Sequence, residues 1–168
     1  MSEDAPQDAE SQLPPVRMLG QFIKDLSFEV PQAPEIYDFL RENPPEIPIG
    51  LDTSMRHLSA GSYEVTLKVN IEATAAGRTA FILEITYGCL VEINENIVPN
   101  EAIHPLLLIE IPRQLFPFVR QIISDMTLNG GFPPLMLQMV DFAQIYQQRY
   151  GVTGQPVADR PAASDAIN

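Results

Sequence analysis

Apolar and polar residues alternate with period two through four stretches of the chain, then recur at three- and four-residue steps in its last third. The cleanest alternation covers residues 63–72. There Tyr63, Val65, Leu67, Val69 and Ile71 interleave with Glu64, Thr66, Lys68, Asn70 and Glu72, as in a strand with one buried and one solvated face. Residues 81–91 repeat it, with Phe81, Leu83, Ile85, Tyr87, Cys89 and Val91 on one side and Ile82, Glu84, Thr86 and Gly88 on the other. Ala76-Gly77-Arg78 marks the turn between them. Upstream, residues 21–30 set Phe22, Lys24, Leu26, Phe28 and Val30 against Ile23, Asp25, Ser27 and Glu29. Residues 47–58 alternate imperfectly, which predicts a bulged or edge strand. The expected sheet is a four-strand antiparallel meander with one apolar face and one acidic, polar face.

The remaining pattern is helical. Residues 31–41 open on a proline turn and predict one short helix from Pro34, ended by Asn43-Pro44-Pro45. Residues 100–111, NEAIHPLLLIEI, are apolar nearly all round, with charge only at Glu101 and Glu110. Such a helix is buried on more than one side. One sheet with one helix layer covers a single side, so the second is expected from another subunit. In residues 111–131, Leu115, Val119, Ile122 and Met126, flanked by Phe118 and Ile123, form the apolar stripe of a helix. Pro112 or Pro117 suits its first turn, Asn129-Gly130-Gly131 its left-handed cap, and a start at Pro112 predicts a kink at Pro117. Residues 132–140, FPPLMLQMV, read as an irregular apolar connection, and Asp141 as the N-cap of a last helix over 142–150 carrying Phe142, Ile145, Tyr146 and Arg149 on one stripe. The fold class is therefore α+β, a four-stranded antiparallel sheet packed on helices. It is expected to occupy residues 21–150, between a disordered acidic arm over 1–20 and a flexible tail over 151–168.

Charge narrows the partners. With 22 acidic against 10 basic side chains the net charge is −12, which disfavours nucleic acid and anionic membrane surfaces and favours a basic partner. No run of eighteen apolar residues and no signal-peptide core is present, so a cytoplasmic protein without membrane insertion is expected. A single cysteine, Cys89, suits a reducing compartment.

Candidate chemistry adds little. No phosphate-loop, dinucleotide, C-x-x-C or H-E-x-x-H motif occurs, and no catalytic residue, metal site or cofactor is expected. His57 and His104 read as structural histidines and Cys89 as a small core hydrophobe. The surfaces are more informative. Phe132, Leu135, Met136, Leu137 and Met139 form a soft apolar stretch that either fills the core or adapts to partners. Asp25, Glu29 and Glu84 either solubilise a sheet face or, if the first and fourth strands lie together, cluster around Ile82 for a basic partner.

Five runs carry a resemblance: FIKDLSFEVPQAP (22–34), SYEVTLKVNIEAT (62–74), TAFILEITYG (79–88), LFPFVRQIISDMTLNGGFP (115–133) and VDFAQIY (140–146). In this order they resemble the SecB family of bacterial protein-export chaperones. The resemblance implies an ATP-independent holdase that binds unfolded precursor proteins in the cytosol and delivers them to the SecA motor. It also implies a homotetramer built as a dimer of dimers. The SecA-contacting positions fall on Asp25, Glu29, Ile82 and Glu84, and assembly-sensitive positions on Phe81, Leu83, Ile85 and Tyr87. A client groove is expected from Phe28, Phe132, Leu135, Met136, Met139, Phe142 and Tyr146. The alternative within the same fold is a chaperone dedicated to one partner, such as a toxin–antitoxin system.

Overall fold

The computed structural model describes residues 14–151. Four strands, β1 (Val16–Glu29), β2 (Ile49–Ser59), β3 (Ser62–Ala75) and β4 (Arg78–Ile93), form one antiparallel sheet. Helices α1 (Glu35–Phe39), α2 (Asn100–Pro105), α3 (Ile111–Asn129) and α4 (Phe142–Tyr150) complete the fold. The β3–β4 hairpin turns at Ala76 and Gly77, both with positive φ (44° and 78°), a backbone that matches the twist of paired strands.

The strand order is β1-β4-β3-β2, which corrects the sequential meander expected above. Strands β2, β3 and β4 do follow one another, but the long connection carrying α1 lets β1 cross to the far edge. There it pairs with β4, the longest strand. β1 also begins earlier than expected, because Val16 pairs with Ile93; residues 16–20 therefore belong to the sheet rather than to an arm. Residues 1–13 and the tail over 152–168 lie outside the described residues.

Register breaks between Met18 and Gly20 and between Ile23 and Asp25 also change the reading of β1. The second leaves Lys24 unpaired. Since a slip of one residue exchanges the two faces, the expected alternation holds only beyond it. Leu26 and Phe28 pair with Ile85 and Leu83 on the inner, helix-covered side, whereas Ile23 pairs with Tyr87 there and Phe22 joins Gly88 outside. β2 is an edge strand with a break between His57 and Ser59, as its imperfect pattern predicted.

The two helices expected over 100–111 and 111–131 are one continuous rod. A π-helical turn, Leu106–Glu110, joins α2 to α3, with the Ile111 N–H donated to the Leu106 carbonyl. Pro105 and Pro112 flank this turn, and each removes one donor from the hydrogen-bond ladder. α3 lies across β3 and β4, burying Leu115, Phe116, Val119, Ile123 and Thr127, while Ile122 and Met126 are half-buried and Phe118 is 50% exposed. The π-helical turn packs between β2 and α4 of the same chain. These contacts bury Leu107 and Leu108 and leave Leu106 and Ile109 half-buried. Asp141 caps α4 as expected, accepting the Gln144 N–H at 3.1 Å.

Candidate functional site

Pairing of β1 with β4 assembles a patch on the outer face of the sheet. Ser27 stands opposite Glu84 and Glu29 opposite Ile82, while Asp25 is paired with Thr86 one step along. Asp25 and Glu29 thus flank Glu84 diagonally. Both are exposed, and Ile82 and Glu84 are half-buried. The arrangement presents three carboxylates along one face, with Ile82 at its Glu29 end.

Further along this face the charge is already matched. Lys24, freed by its bulge, donates to Glu64 Oε1 at 2.8 Å, and Arg56 donates to Oε2 through Nε and Nη2 at 3.0 and 2.7 Å. These hydrogen bonds, Lys24's first, hold the Glu64 carboxyl below its ordinary value against the opposing effect of burial. Phe22 lies beside this network, its ring over Gly88; a Cβ there would stand 2.6 Å from the Phe22 Cε2. The alternation alone placed Phe22 and Lys24 on the inner face. The available signal was Gly88 itself, since glycine inside a strand often marks a close approach.

The apolar residues named for client binding divide among three places. Phe28 stacks on Phe81 at 5.6 Å, and Phe132 sits 4.9 Å from Phe81 and 5.3 Å from Tyr37. Tyr37, which no sequence pattern singled out, donates its hydroxyl to the Gly130 carbonyl at 2.8 Å. A second group borders a cleft between α3 and the connection over 132–140. Met136 and Met139 are 53% and 83% exposed there, beside Arg113, Arg120 and Phe142, whereas Leu135 is half-buried and Phe142 packs edge-on against Phe116. Tyr146 belongs to the third, where its hydroxyl lies 2.8 Å from His104 Nδ1 with Tyr150 alongside. Burial lowers the His104 pKa and favours its neutral form.

Phe81, Leu83, Ile85 and Tyr87 all lie on the inner face, in the core. Cys89 is fully buried, which pushes its thiol up to about 11. His57 is exposed against Tyr63, its ring 5.0 Å away. Among the described residues no group of three or more His, Cys, Asp or Glu side chains is placed to hold a metal ion, and no helix is long and apolar enough to cross a membrane.

A family model described as preprotein translocase subunit SecB matches residues 9–152. The chain belongs to the SecB family. Its curated SecB relatives include the protein-export protein SecB of Paramagnetospirillum magneticum, 47% identical over 137 residues, covering 82% of this chain and 86% of that one. Another is the protein-export protein SecB of Rhodospirillum rubrum, 44% identical over 151 residues, covering 90% and 92%. Among solved structures, a SecB-like chaperone of Mycobacterium tuberculosis, in complex with a peptide from an antitoxin, aligns with a TM-score of 0.63. It covers 74% of this chain and 90% of that one at 14% identity, so the likeness to it concerns the fold. The SecB-like fold accounts for the β1-β4-β3-β2 sheet and the long helix lying across it.

Proposed function

We propose that this chain is a protein-export chaperone that holds unfolded precursor proteins and delivers them to SecA. Membership of the SecB family over residues 9–152 supports the export role. The geometry that carries the docking assignment is the β1–β4 register, which gathers Asp25, Glu29, Ile82 and Glu84 on one solvent-facing patch. Three carboxylates beside an aliphatic residue suit a basic segment, with charge raising the encounter rate and Ile82 supplying burial.

Client holding draws on Phe28 and Phe132, with the Tyr37 ring beside Phe132, and on the exposed Met136 and Met139. Apolar burial and flexible thioethers accept many sequences, and selective binding of unfolded chains needs no nucleotide, because mass action keeps a bound client from folding. A homotetramer, arranged as a dimer of dimers, fits the apolar side chains left open on one chain. These include Ile23, Phe118 and Leu128, 47%, 50% and 58% exposed.

Light scattering of the protein with SecA, together with binding of a slow-folding precursor, tests the proposal. A tetramer that binds SecA, prefers the unfolded precursor, and loses only SecA binding in Glu84→Lys is the expected result. Equal affinity for folded and unfolded precursor would overturn the holding role, and SecA binding untouched by Glu84→Lys the docking role.

A further inference from the structure

β2 carries a glycine, Gly50, as the second residue of this edge strand, on the outer face opposite Asn70, where a strand ordinarily prefers a side chain. Nothing in the backbone demands it. Its φ is not positive, and a Cβ there would meet the Asn70 carbonyl oxygen at 3.7 Å, an ordinary contact. Beside it lies an open trough of about 460 Å³. Its lining includes Gly50 and Asn70, the apolar Pro48 and Ile82, and the carboxylates Glu72 and Glu84.

Register makes this trough continuous with the patch already described. Gly50 pairs with Asn70, Asn70 with Glu84, and Glu84 with Ser27, while Glu72 pairs with Ile82 and Ile82 with Glu29. Two adjacent rows of positions therefore run to β1, one from Gly50 on β2 and one from Glu72 on β3. Neither Glu72 nor Glu84 forms an ion pair among the described residues, in contrast to Glu64 on the same face. Unpaired carboxylates above an apolar slot match a long side chain with a cationic end, since its methylenes bury while its head stays between the charges.

We propose that the trough at Gly50 is a subsite of the outer-face docking surface, taking one lysine or arginine side chain of the docked partner, with Glu72 as a specificity-determining carboxylate. This rests on the docking of SecA to that face. Glycine in a strand can mark where a ligand approaches closely, and Gly50 lines the trough without a side chain.

The test measures SecA binding to the full-length protein by calorimetry, for wild type, Gly50→Leu, Glu72→Gln and Glu84→Lys. Gly50→Leu projects a side chain into the slot without changing charge, and Glu72→Gln removes one exposed charge without changing shape. Each is expected to weaken SecA binding by about fivefold, with affinity for an unfolded precursor and the oligomeric mass unchanged. Wild-type affinity in both, while Glu84→Lys binds poorly, would overturn the subsite and leave the docking reading standing. Wild-type affinity in all three would overturn both. A changed oligomeric mass in Gly50→Leu would assign the trough to a second copy of the chain instead. Should Gly50→Leu misfold by circular dichroism, Glu72→Gln decides alone.

Discussion

The ring of Phe28, on β1, occupies the space into which a side chain on Gly130, at the end of α3, would project: a Cβ there would stand 2.5 Å from the Phe28 Cζ. Gly130 has an ordinary φ of −75°, so steric fit rather than backbone freedom requires the glycine. Gly130→Ala is expected to destabilise the fold by about 1–3 kcal/mol, as overpacking does, and to disturb the aromatic group around Phe132. Gly20, with nothing within 4 Å of its would-be Cβ, is the control. Denaturant unfolding of Gly20→Ala should differ little from wild type.

Glu64 sets part of the acid sensitivity. Its carboxyl lies below the ordinary 4.5 in the fold because Lys24 and then Arg56 hydrogen-bond to it. The native state therefore binds fewer protons than the unfolded chain between the lowered value and 4.5. The contribution is present above 4.5 and is lost as pH falls through the folded value. Glu64→Gln should flatten the pH dependence of stability in that window, measured by urea unfolding at successive pH values. An unchanged slope would mean that the two ion pairs contribute nothing.

His104 acts in the same direction at higher pH. Burial lowers its folded pKa below the ordinary 6.5, so the unfolded chain takes up the proton first. Stability from this residue is full above 6.5 and declines as pH falls through the window beneath it. Replacing His104 with Asn removes the titration while keeping a polar group near Tyr146, and the midpoint of unfolding should then vary less between neutral pH and that window.

Cys89 is the chain's only cysteine and has no exposed surface. With its thiol pushed up to about 11 by burial, a disulfide reagent at pH 8 should react with the native protein only as fast as the sheet opens. On denaturation one thiol should react at once. Rapid reaction of the native protein would contradict its burial.

Arg149 joins α4 to the sheet by an ion pair with Asp52 and a hydrogen bond to the Thr53 carbonyl at 3.1 Å. Both charged groups are about half exposed, so Arg149→Ala should cost at most about 1 kcal/mol in global stability. Locally it should show more. Amide exchange in α4 is expected to accelerate while that of β3 and β4 stays unchanged.

Much of the fold could be read from local periodicity, because a strand or helix advertises its buried face in its own residues. β3 and β4 are legible for this reason, and so is the Asp141 cap. Phe22 and Lys24 were misplaced because a bulge inserts one residue without changing composition, and the period-two pattern carries no record of it. The proline-flanked π-helical turn escaped notice similarly, since two helices and one irregular helix share the same apolar spacing.

Sequence alone determined the α+β class, the acidic outer face, the apolar inner face and the irregular connection over 132–140. Through the resemblance of its runs it also pointed to the SecB family. Tertiary structure decided what those elements do together. It brought β1 beside β4, so that Asp25 and Glu29 flank Glu84, and it packed α4 of the same chain against the apolar turn before α3. The physical reason is range: propensity and periodicity act over a few residues, whereas strand order and helix cover follow from long-range burial that the connections permit but do not encode.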